Sequence, residues 1–133
     1  MDILDFSIGM SFILEKKISL NDVSNYAKIT GDNNPIHLNA VYAAETMFKR
    51  PVVHGLLVAS IFSQIFGTKF PGNGCVYLEQ NVKFIKPVYM DELIVAKVLI
   101  TELDKEKKLL HFSTDCEVNN IKVIVGNAKI YIP

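Results

Sequence analysis

The chain of 133 residues has no tryptophan, only two cysteines and no net charge. Two cysteines are too few for a disulfide scaffold, and Cys75 and Cys116 lack the spacing of metal ligands. We expect both to be small apolar residues of strands. The sequence therefore predicts no metal site.

Basic residues are not in excess, because fourteen Lys and Arg balance fourteen Asp and Glu. Only one of the basic residues, Arg50, is an arginine. Nucleic-acid-binding proteins carry a basic excess and use arginine for bidentate contacts. A chain without net charge is also poorly suited to an anionic membrane surface. We expect neither nucleic acid nor a membrane as a partner.

Long apolar runs are also absent, since no stretch reaches the roughly 18 residues needed to span a bilayer. The segment Met1–Asp5 is acidic, unlike the start of a secretory signal. Half of the residues are nonetheless hydrophobic, which is enough for a packed core. The length fits one domain. We expect a soluble, cytoplasmic protein with a single domain over residues 1–133.

The first half of the chain carries helix signals. Ser19, followed by Asp22, resembles a capping box, and Gly31 is placed to end the helix that follows. Pro35 cannot continue that helix because it lacks an N–H donor. Asn39 can cap a second short helix.

Residues 51–67 predict a longer helix with an unusual distribution of side chains. Its apolar residues cover nearly the whole circumference, and a helix that is apolar all round is buried all round. We expect another part of the chain to surround it.

The second half alternates between apolar and polar residues, which is typical of strands. In the predicted strand 75–86, for example, the apolar residues 76, 78, 82 and 84 are predicted to lie on one face of the sheet. Short turns at residues 104–108 and 119–120 make the neighbouring strands antiparallel. The predicted strands are residues 11–18, 75–86, 93–103, 109–118 and 121–132. The fold class is therefore α+β, with a long central helix wrapped by a curved antiparallel sheet.

One segment concentrates residues that can transfer protons. Asp32 and His37 lie five residues apart, across a turn held by Asn34 and Pro35. A carboxylate and an imidazole that share a water supply a general base and a general acid near neutral pH. The residues alone leave a second interpretation open, in which Asp32 caps a turn and His37 is a surface residue.

A second candidate is His54-Gly55, at the start of the apolar helix. Glycine allows a ligand to approach the backbone, and the free N–H groups of a helix start favour developing negative charge. That suits a thioester oxygen that becomes enolate-like, although Gly55 would also serve close packing alone. We do not expect His54 to be catalytic. Ser60 and Ser63 lack the sequence of a nucleophile elbow.

Residues 26–37 contain an aromatic residue, a step of small residues and then Gly-Asp-x-Asn-Pro-aliphatic-His, with Ala43 six positions after His37. This pattern resembles the signature of the MaoC-like hydratases, the (R)-specific enoyl-CoA hydratase family. The resemblance continues through residues 50–63 and 76–88, so it covers essentially the whole chain. It is strongest to the short, free-standing bacterial members.

The resemblance implies a hot-dog fold and a homodimer, or a higher oligomer, whose sheets join edge to edge. It also implies that Asp32 and His37 form the catalytic dyad, with the Gly55 amide as oxyanion donor and Asn34 and Ser63 in support. The expected reaction is reversible syn hydration of a trans-2-enoyl-CoA to a (3R)-3-hydroxyacyl-CoA. Coenzyme A is then part of the substrate, and no cofactor is expected.

Ile65 and Phe66, near the end of the helix, are predicted to line the acyl pocket. A ring there fills volume that a longer tail would need, so we expect a preference for roughly four to six carbons. Two other functions compete: a hot-dog acyl-CoA thioesterase or acyl-carrier-protein dehydratase, and a non-catalytic module that binds acyl-CoA.

Overall fold

The computed structural model describes residues 1–133. A 3₁₀ turn at Ile3–Asp5 precedes nine longer elements. The helices are α1 (Leu20–Thr30), α2 (Pro35–Leu38), α3 (Ala40–Ala44) and α4 (Gly55–Thr68). The strands are β1 (Ser11–Lys16), β2 (Val76–Phe84), β3 (Ile94–Asp104), β4 (Leu109–Val118) and β5 (Ile121–Tyr131). None of the helices combines the length and the hydropathy needed to cross a bilayer.

All five strands belong to one sheet, in the order β1-β3-β4-β5-β2. Every neighbouring pair is antiparallel. The predicted α+β class is confirmed. The order leaves β1 and β2 as the two edge strands.

Helix α1 begins and ends where the local signals predict. Ser19 Oγ accepts from the backbone N–H of Asp22 at 3.1 Å, and the Asp22 carboxylate accepts from the N–H of Ser19 at 2.9 Å. These bonds from Ser19, the backbone one foremost, hold the pKa of Asp22 below its ordinary value. Gly31 follows with φ of 78°, a left-handed conformation in which glycine has no steric penalty.

Pro35 does more than end a helix. It occupies the first position of α2, where a missing N–H costs nothing and a fixed φ is favourable. The sequence predicted no helix here, because a proline reads more easily as a stop than as a start. Asn39 then caps α3 by accepting from the N–H of Tyr42 at 3.0 Å, as expected.

Helix α4 packs against one face of the sheet and forms the centre of the core. Phe62, Ile65 and Phe66 are completely buried there. The prediction that the helix is buried on all sides is wrong for one side. Leu56 is 60% exposed, and Ser60 and Ser63 are exposed as well. The reason is that the sheet of a single chain covers only part of the circumference.

Strand β2 departs from simple alternation. Its pairing with β5 shifts between Tyr77, opposite Ile130, and Glu79, opposite Lys129, so Leu78 is an extra residue at a bulge. The bulge moves Tyr77 to the face that contacts the helix. Val76 and Val82, predicted on one face, therefore lie on opposite faces, because the sequence pattern cannot reveal an inserted residue.

Candidate active site

The turn that carries Asp32 is shaped by hydrogen bonds within the turn itself. Thr30 Oγ1 donates to the carbonyl of Tyr26 at 2.7 Å and accepts from the N–H of Asp32 at 3.1 Å. Asp32 Oδ1 accepts from the N–H of Asn34, and Asn34 Oδ1 accepts from the N–H of Ile36, both at 3.3 Å. Asn34 thus shapes the turn, while Asp32 Oδ2 takes no part in these bonds.

The ring of His37, on α2, makes one short hydrogen bond. Its Nδ1 lies 2.7 Å from the carbonyl oxygen of Val52. A carbonyl oxygen can only accept, so Nδ1 carries the hydrogen, and in the neutral ring Nε2 has a free lone pair. Val52 is fixed in turn by its N–H, which donates to the carbonyl of Ile36 at 3.1 Å.

His54 joins the two predicted catalytic residues. The ring of His54 is stacked on that of His37, with centroids 3.7 Å apart and an angle of 25° between planes. His54 Nε2 also donates to the carbonyl oxygen of Asp32 at 2.9 Å. Sequence reasoning missed this contact. A histidine before a glycine gave no signal specific enough, since its partners lie 17 and 22 residues earlier in the chain.

Gly55 is the first residue of α4. The first N–H groups of a helix have no partner within the helix, and the side chain of His54 does not cap them. A Cβ at Gly55 would come within 2.6 Å of Cε1 of Phe84. The absence of a side chain therefore lets the ring of Phe84 approach the helix start.

Asp32, His37 and Gly55 meet at one cavity of about 560 Å³. Twelve of its eighteen lining residues are hydrophobic, so it favours an apolar ligand beside a few polar groups. The rest of the lining comes from α1, α2, the α3–α4 loop, the start of α4, the end of β2 with the segment after it, and β5. Among these residues are Ile36, Met47, Phe48, Val52, Val53, Leu56, Phe84, Ile85, Lys86, Pro87 and Val88.

Four other predicted site residues do not line this cavity. Asn34 lies in the turn after Asp32, where its Oδ1 accepts from the N–H of Ile36. Ser63 lies in an open groove, the α4–β2 groove, formed by Leu56, Ala59, Ser60 and Ser63 of α4 and residues 77–80 of β2. Ser63 comes eight positions after Gly55, and this spacing corresponds to about 12 Å along a helix axis. Ile65 and Phe66 are completely buried in the core. The supporting role of Ser63 and the acyl-pocket roles of Ile65 and Phe66 stay predictions.

Asp32, His37 and His54 place a potential ligand atom each within 4.8 Å of one another, which raises the question of a metal. Imidazole nitrogens bind metals along lone pairs that lie in the plane of the ring. Two nearly parallel stacked rings direct those lone pairs side by side rather than toward one point. His54 Nε2 is also engaged by the carbonyl of Asp32. The geometry favours contact between the three side chains over shared coordination.

The family model described as "MaoC like domain" matches residues 6–122 of the chain. An (R)-specific enoyl-CoA hydratase of Rhodospirillum rubrum is 40% identical over 129 residues, which cover 97% of this chain and 90% of that protein. A 3-hydroxybutyryl-CoA dehydratase of Methylorubrum extorquens is 39% identical, over 97% of this chain and 82% of its own length.

The fold is also similar to solved structures. The structure of an (R)-hydratase from A. caviae involved in PHA biosynthesis superposes with a TM-score of 0.93 at 33% identity. The match covers 96% of this chain and 98% of that one. The predicted hot-dog fold is confirmed, and the chain belongs to the MaoC-like family of the (R)-specific enoyl-CoA hydratases.

Proposed function

We propose that the protein is an (R)-specific enoyl-CoA hydratase, which adds water reversibly to a trans-2-enoyl-CoA and gives a (3R)-3-hydroxyacyl-CoA. One observation carries the proposal. Asp32 and His37 line the same largely apolar cavity that the N-terminus of α4 enters. The relatives' hydratase and dehydratase activities are the two directions of this reaction.

The dyad supplies both proton transfers. A water held between the Asp32 carboxylate and His37 Nε2 gives a proton to one of them while its oxygen attacks Cβ, and that same proton is then delivered to Cα. Because both groups act from one side of the alkene, the hydrogen and the hydroxyl add to the same face. General acid–base help of this kind contributes about 10²–10⁴-fold to a rate.

The start of α4 stabilises the charge that develops during addition. Attack at Cβ pushes electrons onto the thioester oxygen, which becomes enolate-like. The N–H of Gly55, at the start of the helix, donates to that oxygen in this proposal, and the helix dipole adds a favourable field. Asn34 supports the dyad through the turn that it shapes.

The reaction needs no cofactor. Protons and a hydrogen-bond donor are sufficient for adding water to an activated alkene, and coenzyme A enters and leaves as part of the substrate.

A cytoplasmic location belongs to the proposal too. Its support is that Cys75 and Cys116 are both unpaired thiols, as is usual in a reducing compartment.

The acyl group runs from the cavity into the α4–β2 groove. Leu56 lines both, so the two spaces adjoin. The groove passes Ser63 and reaches Tyr77, behind which Phe66 packs with ring centroids 5.1 Å apart. The rings of Tyr77 and Phe66 close the end of this path. Forcing extra methylenes against a packed core costs about 1–3 kcal/mol, so short acyl groups of roughly four to six carbons are favoured.

The active form is a homodimer joined along β2. This edge strand has an unpaired side, and large apolar side chains on it and beside it are exposed, among them Val76, Leu78, Phe84 and Leu56 of α4. Unpaired edges favour strand addition, and a two-fold pairing of β2 would extend the sheet and cover the open side of α4.

Light scattering at micromolar concentration tests the assembly, with a mass of about twice 14.9 kDa expected. Leu78→Lys places a charge at the β2 edge and should give monomers. Ile13→Lys is the matched control on the opposite edge strand, since the two side chains are 53% and 55% exposed. A monomeric wild type, or equal dissociation by both variants, contradicts pairing along β2.

The hydratase assay follows the loss of the enoyl-thioester absorbance of crotonyl-CoA when purified protein is added. Coupling to a dehydrogenase specific for the (3R) product establishes the configuration. Asp32→Asn is the control and should be nearly inactive. We expect loss of absorbance without release of free thiol.

The same assay separates the competing functions. Release of free coenzyme A, detected with a thiol reagent, would indicate a thioesterase. Turnover of crotonyl-acyl carrier protein in preference to crotonyl-CoA would indicate a carrier-protein dehydratase. Binding of crotonyl-CoA without turnover would indicate a non-catalytic module. Each of these results contradicts the proposal.

A further inference from the structure

His54 is an unusual buried residue. It is only 2% exposed, and Nδ1 of its ring has no hydrogen-bond partner. It occupies the N-cap position of α4 but does not cap the helix with its side chain. Helix capping therefore does not explain why a histidine is buried here.

The contacts of His54 define which nitrogen carries hydrogen. Nε2 lies 2.9 Å from the carbonyl oxygen of Asp32, so Nε2 must donate. A hydrogen on Nδ1 as well would bury a charged donor without an acceptor, which is costly. The ring is therefore the neutral tautomer with its hydrogen on Nε2.

That tautomer contacts both members of the dyad. The hydrogen bond from Nε2 holds the backbone of Asp32, whose side chain is 51% exposed and otherwise held only by its own turn. The flat face of the ring lies against His37 at 3.7 Å. Asp32 Oδ2 is 4.0 Å from His54 Nε2, and Tyr26 packs against the ring at 4.6 Å.

We infer that His54 is a positioning residue of the dyad: its Nε2–H fixes the Asp32 backbone while its ring supports His37, so that both groups face one water. The inference rests on the proposed hydratase function. His54 itself need not touch the substrate, and its effect should appear in kcat rather than in KM.

Two variants separate the functions of the side chain. His54→Phe keeps a flat ring against His37 but removes the donor to Asp32. His54→Gln keeps an N–H near the position of Nε2 but removes the ring. The bond from Nε2–H is the only hydrogen bond that reaches Asp32 from outside its own turn, so it is the main restraint. His54→Phe should therefore lower kcat for crotonyl-CoA by about 10–100-fold, since misplacement by about 1 Å can cost 10²-fold. KM should change less than about twofold, and His54→Gln should recover most of kcat.

Val98→Ala is the control for lost stability, because Val98 is fully buried on β3 and does not line the cavity. It should lower the melting temperature and leave kcat unchanged. Wild-type kcat in His54→Phe overturns the inference. So does a His54→Gln variant that is as impaired as His54→Phe.

A second measurement does not depend on activity or on the folding of a variant. Nitrogen-15 NMR of the wild-type histidine rings should show His54 protonated on Nε2 and His37 on Nδ1. A hydrogen on Nδ1 of His54 overturns the inference. If the wild type fails to hydrate crotonyl-CoA, the proposed function is wrong, and the NMR result still decides how His54 holds Asp32.

Discussion

The two ends of α4 are built for opposite purposes. At the first end, Gly55 opens onto a cavity and His54 adds a buried polar ring beside Asp32 and His37. Toward the last turn, Phe66 is fully buried, with its ring 4.8 Å from that of Phe112. Chemistry requires an end with unfilled space and free hydrogen-bonding groups, whereas stability requires an end where every volume is filled. One apolar helix provides both.

The largest effect should come from the catalytic end. Asp32→Asn and His37→Ala should each lower kcat by about 10²–10⁴-fold, because each removes one of two proton-transfer groups. Asparagine keeps the Oδ1 that accepts from Asn34, and neither residue belongs to the buried core, so the melting temperature should hardly change. Steady-state kinetics with crotonyl-CoA and thermal unfolding measure both quantities.

If the two groups act as a unit, the double variant should be no worse than the worse single variant. Turnover close to wild type in either single variant would remove that residue from the mechanism.

Substitution at the buried end of α4 should mainly change the stability of the protein. Phe66→Ala should lower the free energy of unfolding by about 3–5 kcal/mol, measured by urea denaturation, because it leaves a cavity between Tyr77 and Phe112. Tyr77 can then settle into the vacated space, so activity on eight-carbon enoyl-CoA should rise relative to four-carbon.

Phe112→Ala is the matched control, since that ring is almost equally buried but packs against Phe66 and Phe70 rather than against Tyr77 of the groove. An unchanged chain-length profile in Phe66→Ala would mean that Phe66 serves the core alone. A wild type already faster on eight carbons than on four would contradict the short-chain preference.

How much of the fold and of the candidate site could be predicted from the sequence depends on how far apart the interacting residues lie along the chain. The ends of α1 and the Asn119-Asn120 turn were predictable because capping and positive φ depend on adjacent residues. Asp32 and His37 could be predicted to lie together because they share one short motif, and both line the same cavity. The bulge at Leu78 and the burial of His54 were not, since each depends on a partner far along the chain.

A smaller effect should follow Gly55→Ala, which places a Cβ within 2.6 Å of the Phe84 ring. Because that ring is half exposed, it can move at little cost in stability, but the helix start and its N–H groups move with it. We expect kcat to fall about tenfold, in keeping with the sensitivity of catalysis to small displacements. The double variant Gly55→Ala, Phe84→Ala should recover part of the loss. No recovery would mean that contact with Phe84 is not the cause.

The smallest expected effect is a loss of stability at alkaline pH, caused by two partly or fully buried groups, Tyr77 and Cys116. Burial raises the pKa of Tyr77 to about 12, and burial, with a contribution from the charge of Asp115, raises that of Cys116 to about 12. The folded protein thus holds these protons more tightly than the unfolded chain does. In the unfolded chain Tyr77 titrates at 10.0 and Cys116 at 9.0. Their contribution to stability is complete below pH 9 and is lost as pH rises toward 12.

Urea midpoints measured from pH 8 to about 12 should therefore decline through this range. Tyr77→Phe should decline less steeply than the wild type. Identical slopes would show that the Tyr77 hydroxyl titrates alike in both states.

The turn around Asp32 also has an evolutionary consequence. Its shape is made by bonds among Tyr26, Thr30, Asp32, Asn34 and Ile36. One further bond comes from His54, and the sheet contributes none. Under the proposed mechanism, a single-nucleotide change from aspartate to asparagine would abolish turnover in a duplicated gene while leaving a folded protein with an intact apolar cavity. Under that mechanism, a change at Asp32 would alter the rate with little effect on the amount of folded protein.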